Sequence, residues 1–244
     1  MRTLGVPEMD TPLLMLEDID TGYGEAQILY GVSITIAPGE LVCLIGPNGA
    51  GKSTVLKTIF GLLDPWDGQI IYAGHPIGGD APADVVRTGI GYVPQRRNVF
   101  GSLTIEENLQ MGAVARDDDG SAVISRLYEQ FPLLADKRAA RASTLSGGQR
   151  QILAFARALV PEPQLLLIDE PSAGLAPNTA EEVFEHVSAV NAQDTAVLMV
   201  EQNAKRGLAI SDRGVVLDQG AVEFTAPADA VLEDERIAEL YLGG

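Results

Sequence analysis

The sequence predicts an α/β protein organised around a phosphate-binding loop, and two segments carry this prediction. The first is a glycine-rich loop, residues 46–54, which matches the pattern G-x-x-x-x-G-K-[ST]. A short apolar segment of buried-strand type, residues 40–45, precedes it, and residues 52–60 continue with helical spacing. The second is an apolar segment, residues 165–168, that leads into two adjacent acids. Short buried strands that alternate with helical segments are typical of an α/β fold.

The glycine-rich loop is suited to holding a polyphosphate. Gly46, Gly49 and Gly51 let the backbone come close enough for several N–H groups to point at phosphate oxygens. Lys52 would reach the β- and γ-phosphates, and the Ser53 hydroxyl is placed to bind a Mg²⁺ ion that bridges the same oxygens. The alternative, a glycine-rich turn with an unrelated lysine, does not explain the strand before the loop and the helix after it.

The composition restricts the classes of function. The chain has 244 residues and a formal net charge of −17, so it lacks the basic surface that general nucleic-acid binding requires, and no nucleic-acid partner is expected. An acidic protein suits a partner with cationic loops, and the cytoplasmic loops of membrane proteins carry an excess of lysine and arginine. The alternative is that the charge serves solubility alone.

The sequence also indicates a location. No apolar run approaches the roughly 18 residues of a membrane span, and residues 1–10 lack the cationic and apolar segments of a secretion signal. We therefore expect a soluble, cytoplasmic protein. The single cysteine, Cys43, excludes an internal disulfide and a multi-cysteine metal site, and we expect it to be a small core residue.

The N-terminal part is predicted to form a half-exposed antiparallel sheet. Residues 13–19 and 32–37 alternate apolar and polar side chains, and residues 69–72 resume a strand pattern. Between the first two strands, Tyr23 is flanked by glycines, which predicts a flexible loop. Its ring either stacks on a base or packs in the ordinary way.

A predicted buried strand, residues 90–93, leads to Gln95, whose neutral amide can contact Mg²⁺ or its water in one state and release it in another. From residue 96 to residue 159 the periodicity is helical, which predicts an inserted helical subdomain. Residues 104–107 offer a capping box. The acidic run at 117–120 lacks the spacing of a calcium loop and is interpreted as a solvated turn.

The helical region closes with Leu145-Ser146-Gly147-Gly148-Gln149 and a helix that has one apolar face. Ser146 and the glycine N–H groups lie at the start of that helix, where anions are favoured. The chain therefore offers a second helix end for phosphate.

The acids that follow residues 165–168 require a cation nearby, because adjacent carboxylates repel each other. Asp169 can hold Mg²⁺ through water and complete the coordination begun by Ser53, and Glu170 can orient and deprotonate an attacking water. The alternative is a plain solvated strand end. The rest of the chain is predicted to contain a helix at 178–191, a strand at 196–200, a short helix at 204–210, a hairpin about Gln219-Gly220 and a helical tail at 226–242. His75 and His186 receive no role.

In this order and spacing, the glycine-rich loop, Gln95, the Leu-Ser-Gly-Gly-Gln segment and the acidic strand end resemble the nucleotide-binding subunits of ABC transporters. The loop alone is shared with kinases, GTPases and many ATPases, whereas L-S-G-G-Q followed by a strand ending in Asp-Glu is specific. A GTPase is disfavoured because N-K-x-D is absent. The resemblance implies an α/β fold with a RecA-like P-loop NTPase core, an N-terminal antiparallel β-subdomain and an inserted helical subdomain. It implies one domain over residues 12–244, with 12–95 and 160–244 in the core and 96–159 in the helical subdomain.

The resemblance also implies the site residues. Tyr23 would stack on adenine, Asp169, Ser53 and Gln95 would serve Mg²⁺, and Glu170 would be the catalytic base, with Lys52 and Gln202 as further catalytic groups. The implied ATP-binding set on one chain is Tyr23, Gly46, Asn48, Gly49, Ala50, Gly51, Lys52, Ser53, Thr54 and Gln95. A second cassette would receive Ser146, Gly147, Gly148 and Gln149 at its γ-phosphate, since family cassettes pair head to tail.

Two departures from the common pattern narrow the resemblance. Gln202 stands where a switch histidine is usual, and residues 173–176 read Ala-Gly-Leu-Ala where Ser-Ala-Leu-Asp is usual. With residues 89–94 and 102–109, these features resemble the LivF-type ATPases of branched-chain amino acid importers. Gln202 can donate one hydrogen bond but carries no proton, which favours Glu170 as the base. In the loop expected to dock to the membrane subunit, the relatives tend to have glycine and proline where Arg96 and Gly101 stand.

The leading hypothesis is an ATPase subunit, with ATP and Mg²⁺ as cofactors, that powers an importer for branched-chain or related amino acids. Its expected partners are transmembrane permease subunits, a second ABC ATPase subunit, identical or distinct, and indirectly a periplasmic or extracellular substrate-binding protein. The expected location is the cytoplasmic face of the membrane. One alternative is the ATPase of a urea or short-chain amide importer. Another is a soluble ABC ATPase in translation or DNA repair, which the acidic composition disfavours.

Overall fold

The computed structural model describes residues 11–96 and 98–233. In chain order these residues form β1 (Leu14–Tyr23), β2 (Ala26–Ile36), β3 (Leu41–Ile45), α1 (Lys52–Ile59), β4 (Asp67–Tyr72), β5 (His75–Pro76), α2 (Pro82–Arg87), β6 (Ile90–Val93), α3 (Ile105–Gly112), α4 (Ser121–Gln130), α5 (Pro132–Asp136), α6 (Gly147–Leu159), β7 (Leu165–Asp169), α7 (Pro177–Asn191), β8 (Ala196–Val200), α8 (Ala204–Ala209), β9 (Arg213–Asp218), β10 (Ala221–Pro227) and α9 (Ala228–Glu233).

The N-terminal strands form an antiparallel sheet in the order β2-β1-β4-β5. β1 and β2 are longer than the sequence predicts, because pairing continues to the contact of Tyr23 with Ala26 around a tight turn. The prediction that Tyr23 lies in a flexible loop is therefore wrong, since this residue ends β1. Gly22 is part of the reason, because a Cβ atom there would lie 2.0 Å from the carbonyl oxygen of Ala26. Glycine therefore permits the close pairing of the two strands, although in the sequence it favours a loop.

The second sheet has the order β10-β9-β3-β8-β7-β6, with parallel pairing from β9 through β6 and an antiparallel β10 at one edge. β3, β7 and β8 are buried along their whole length, because helices and the first sheet cover both faces. The carboxyl ends of parallel strands meet at one edge of a sheet. That edge therefore carries the glycine-rich loop, Gln95, the pair Asp169 and Glu170, and Gln202.

Between β6 and β7, the described residues are helical and contain α3 to α6. The predicted capping box is confirmed at the start of α3, where the Thr104 hydroxyl accepts from the Glu107 N–H and the Glu107 carboxylate accepts from the Thr104 N–H. A second capping box joins Ser146 and Gln149 at the start of α6. In the acidic turn before α4, Asp118 accepts hydrogen bonds from Arg116, which supports the interpretation as a turn.

The C-terminal part follows the prediction with one shift. The hairpin turns at Gln219 and Gly220, as predicted, but β10 extends to Pro227 and α9 begins only at Ala228. The remainder of the predicted helical tail, 234–242, lies outside the described residues. Within the described ranges, no helix combines the length and the apolar content that crossing a membrane requires.

Candidate nucleotide-binding site

A pocket of about 270 Å³ lies at the carboxyl edge of the parallel sheet, beside the glycine-rich loop. Two strands of the first sheet reach it, since the end of β1 and the start of β2 contribute to its wall. Its lining consists of Tyr23, Ile28, Asn48, Gly49, Gly51, Lys52, Ser53, Thr54 and Glu170. The pocket thus brings together the predicted loop residues, the predicted aromatic ring and the predicted base.

The backbone of the loop needs glycine where the chain turns tightest. Gly46 has φ 151°, and a Cβ atom there would lie 2.0 Å from the carbonyl oxygen of Leu217. Gly49 has φ 88° and faces open space. α1 then starts at Gly51 with no side-chain cap and no acid in its first turn, so its first N–H groups are available to an anion. Ala50 is buried behind the loop.

Lys52 occupies the loop that it is predicted to serve. Its Nζ donates to the carbonyl oxygens of Gly46 at 2.8 Å and of Pro47 at 2.9 Å. Burial lowers the pKa of Lys52, and the charges of Glu170 and Asp169 oppose that shift. An ammonium has three donors and these contacts use two, so binding both the β- and the γ-phosphate would displace at least one of the carbonyl contacts.

Two of the three ligands predicted for Mg²⁺ lie in contact. The Ser53 hydroxyl donates to Asp169 Oδ1 at 2.8 Å, and Asp169 is buried at the end of β7. Burial raises the pKa of Asp169, while Ser53, the charges of Lys57 and Lys52, and a hydrogen bond from the Tyr92 hydroxyl all oppose the shift. A buried carboxylate with an adjacent hydroxyl fits a hard cation that prefers oxygen ligands. Tyr92 received no role from the sequence, which marks it only as one residue of a strand.

Glu170 and Gln95 are joined directly. Gln95 Nε2 donates to Glu170 Oε2 at 2.5 Å, and Glu170 has φ 45°, which turns the chain sharply out of β7. Burial raises the pKa of Glu170, Lys52 lowers it, and Asp169 raises it further. The side chain is therefore half-buried in the pocket wall as a carboxylate of increased basicity.

At the opposite side of the pocket, Tyr23 exposes 45 % of its surface. Lys57, from the last turn of α1, donates to the Tyr23 hydroxyl at 3.2 Å and lies 5.6 Å from the centre of the ring. The sequence did not single out Lys57. Its position five residues after Lys52 on α1 could have suggested it.

The Leu-Ser-Gly-Gly-Gln segment does not reach this pocket, whose described lining contains none of its residues. Ser146 and Gly147 are exposed, and Gln149 is half-buried within the capping box. Gly148 is buried: a Cβ atom there would lie 2.1 Å from Thr179 Cγ2 at the start of α7. Glycine is thus required at 148 for packing, whatever else it contacts.

Gln202 is exposed after β8 and is also outside the described lining of the pocket. Its neighbour Glu201 is buried and accepts hydrogen bonds from Ser172 and from the backbone of Asn203. Sequence reasoning gave Glu201 no function. The position of an acid directly after five apolar strand residues could have indicated a role for Glu201.

The family model described as ABC transporter matches residues 29–173. The chain belongs to the ABC transporter family. The ABC transporter resemblance drawn from the sequence is therefore confirmed, and the chain is an ATP-binding cassette with the ATPase activity of that family. It is 41 % identical to the high-affinity branched-chain amino acid transport ATP-binding protein BraG of Pseudomonas aeruginosa, over 95 % of this chain and 100 % of that protein. It is 39 % identical to a probable branched-chain amino acid transport ATP-binding protein LivF of Archaeoglobus fulgidus, over 95 % and 99 %.

Solved structures of ABC cassettes have the same fold. An ATP-binding cassette of an ABC transporter in its ADP conformation superposes with a TM-score of 0.84 at 28 % identity, covering 96 % of this chain and 100 % of that one. A nucleotide-free cassette gives 0.83 at 27 % identity, over 96 % and 100 %. The predicted fold class is confirmed. Cassettes of this family work with transmembrane permease subunits.

Proposed function

We propose that this ABC cassette hydrolyses ATP to power import of branched-chain or related amino acids, from the cytoplasmic face of the membrane. The observation that carries the chemistry is the strand end where Asp169 contacts Ser53 and Glu170 faces the pocket. The substrate class is supported by BraG and LivF, whose names describe branched-chain amino acid transport. A substrate never touches a subunit of this kind, so its identity lies outside the pocket.

In this proposal the two sides of the pocket bind different parts of ATP. Tyr23 stacks on adenine, and the loop N–H groups and the start of α1 hold the phosphates. Lys52 exchanges the carbonyl oxygens of Gly46 and Pro47 for the β- and γ-phosphates. The exchange is favourable because the ammonium gains charged partners in a largely buried position.

Ser53, Asp169 and Gln95 would hold Mg²⁺. When bound, this ion would neutralise the negative charge that develops on the phosphates during hydrolysis. Among the described residues, no three His, Cys, Asp or Glu side chains are grouped to hold a metal alone. Such a site depends on the nucleotide for part of its coordination, which suits an ion that enters with its substrate.

Glu170 takes the proton of the attacking water. A bond forms between the water oxygen and the γ-phosphorus, the bond to the β–γ bridging oxygen breaks, and ADP and phosphate leave. Burial and Asp169 raise the pKa of Glu170, which strengthens it as a base. Its Oε2 is held by Gln95, so catalysis requires that contact to open or shift. The Gln202 amide then donates a hydrogen bond to the γ-phosphate, but it does not transfer a proton.

The second half of each site would come from another cassette. Ser146 and Gly147 are exposed at the start of α6, a helix end that favours anions. They would meet the γ-phosphate held by the partner. We expect a distinct second ATPase as that partner, as for LivF-type proteins.

A permease subunit would dock in an apolar groove of about 300 Å³ between the core and the helical region. Phe100, Met111 and Val114 are exposed there by 47 %, 45 % and 73 %. Tyr92 lines the same groove, packs on Phe60 at 4.9 Å between ring centres, and lies close enough to Asp169 to affect the pKa of that carboxyl. Tyr92 thus lies between the groove and Asp169, the proposed Mg²⁺ ligand. Docking of a permease in the groove could therefore affect the nucleotide site through this side chain.

Purification of the tagged chain from detergent-solubilised membranes, followed by identification of its partners, tests the proposal. We expect a permease and a second cassette. After reconstitution in liposomes with the binding protein encoded beside them, leucine, isoleucine or valine should stimulate ATP hydrolysis. Glu170→Gln is the matched inactive control, since it should bind ATP and fail to turn over. Stimulation by urea or short-chain amides alone would favour the alternative importer. Recovery with ribosomes or DNA and no permease would contradict a transport function.

A further inference from the structure

Glu201 is a buried carboxylate that joins two segments of the sheet edge. It is 1 % exposed directly after β8. Its Oε1 accepts from the backbone N–H of Ser172 at 2.9 Å, and its Oε2 accepts from the Ser172 hydroxyl at 3.0 Å. Oε2 also accepts from the backbone N–H of Asn203 at 3.2 Å. None of the ion pairs found in the described part of the chain includes Glu201.

The bonded segments both lead to proposed catalytic groups. Ser172 comes two residues after Glu170 and opens the segment that runs to α7. Asn203 follows Gln202 and caps α8, where its side chain accepts from the N–H of Arg206 at 3.4 Å. The backbone N–H of Glu170 also donates to the carbonyl of Val200 at 2.9 Å. Glu201 thus fixes the exits of β7 and β8 against each other.

A charged side chain at this position is unfavourable for folding alone. Burial raises the pKa of Glu201, and the hydrogen bonds from Ser172 and Asn203 oppose that shift without cancelling it. Because the pKa is higher in the folded than in the unfolded chain, the stabilising contribution is present at low pH and lost as pH rises through the folded value. At neutral pH a glutamine of the same size would avoid this cost. The carboxylate is thus present despite a desolvation cost, and it supplies the acceptors for three donors from two strand exits.

We propose that Glu201 is a positioning residue for ATP hydrolysis, which ties the segment after Glu170 to the segment carrying Gln202 so that both meet the γ-phosphate in one arrangement. The inference rests on the proposed function. Glu201 acts through Ser172 and Asn203, since it is outside the described lining of the nucleotide pocket. A carboxylate suits the task because both oxygens accept, whereas an amide would turn an NH₂ group toward one of the three donors.

Glu201→Gln tests this role in the assembled transporter. We expect kcat for ATP hydrolysis to fall about tenfold or more, the size of one lost charge-assisted hydrogen bond. The Kd of the isolated chain for ATP should change less than about twofold, since no binding contact is lost. The Tm should change little, because glutamine avoids the cost of burying a charge, which offsets the hydrogen bond that it loses. A residue with a merely structural role would lower Tm and kcat together.

Glu40→Gln is the matched control. Glu40 is a partly buried carboxylate just before β3, at the opposite edge of the same sheet, where its Oε1 pairs with Arg213 Nε at 2.7 Å. The same chemical change there should lower Tm, because it breaks that ion pair, and should leave kcat unchanged. Glu201→Gln and Glu40→Gln are therefore expected to give opposite patterns.

Ser172→Ala extends the test to the partner side chain. It should also lower kcat, and adding it to Glu201→Gln should have little further effect, because both changes disrupt one contact. Effects that multiply, full kcat in Glu201→Gln, or a fall in Tm that parallels the loss of kcat would each overturn the proposal. A wild-type complex without ATPase activity would contradict the proposed function itself, and this inference with it.

Discussion

Replacing Tyr23 with alanine tests whether the ring at the end of β1 holds the adenine of ATP. The ring is 45 % exposed and lines the pocket beside the phosphate loop. Lys57 donates to its hydroxyl at 3.2 Å and also lies over the ring, 5.6 Å from its centre. An aromatic pair contributes about 0.5–1.5 kcal/mol beyond the area it buries. The change should therefore weaken ATP binding between about twofold and about twelvefold, with about fivefold at 1 kcal/mol.

Calorimetric titration of the isolated chain with Mg-ATP and with Mg-triphosphate measures this difference. Triphosphate has no base, so Tyr23→Ala should leave its affinity nearly unchanged. Tyr23→Phe is the control, because it keeps the ring and loses only the hydroxyl contact with Lys57, and it should bind ATP within about twofold of wild type. Equal losses for ATP and triphosphate in Tyr23→Ala would refute the adenine assignment.

Three further predictions concern positions away from the pocket. Ser146→Arg should abolish cassette pairing and transporter ATPase activity without changing the ATP affinity of the isolated chain, as gel filtration and titration would measure; full activity in the complex would exclude a site shared between cassettes. Gly148→Ala should lower stability by about 1–3 kcal/mol in urea unfolding through overpacking, and Thr179→Ser should restore part of it by removing the opposing methyl. Val114→Asp should reduce recovery of the permease in pull-downs, while Leu62→Asp, an exposed control outside the groove's described lining, should not.

The elements that the sequence predicted well are those whose surroundings are uniform. β3, β7 and β8 are buried on both faces, so continuous apolar runs marked them. A capping box marked the start of α3, because it depends on residues close in sequence, whereas the capping box at the start of α6 was recognised only in the structure. The loop and the acidic pair were likewise local patterns that a topology of parallel strands brings to one edge.

The elements that it missed depend on contacts distant in sequence. Tyr23 was assigned to a loop because its glycine neighbours favour turns, whereas pairing with β2 extends the strand. Glu201 received no role from the sequence, because the donors that it accepts from include Ser172, which lies at the exit of another strand. The packing of Gly148 on Thr179 joins residues that no local pattern relates. Such contacts follow from topology and side-chain geometry, which a single sequence does not specify.

The contacts of the site argue that hydrolysis is controlled from outside the chain. Lys52 is bonded to its own loop and Glu170 to Gln95, so two proposed catalytic groups must exchange partners before they act. ATP binding would bring about this change for Lys52, because a charged phosphate is a stronger hydrogen-bond acceptor than the backbone carbonyls that Lys52 contacts. Mg²⁺, which would enter with ATP, is the proposed partner for Gln95, so its binding would draw this side chain away from Glu170. Gln95 lies two residues beyond β6, the strand that carries Tyr92 at the proposed docking groove. A permease in that groove would therefore act on the release of Glu170, and turnover would depend on assembly while ATP binding would not.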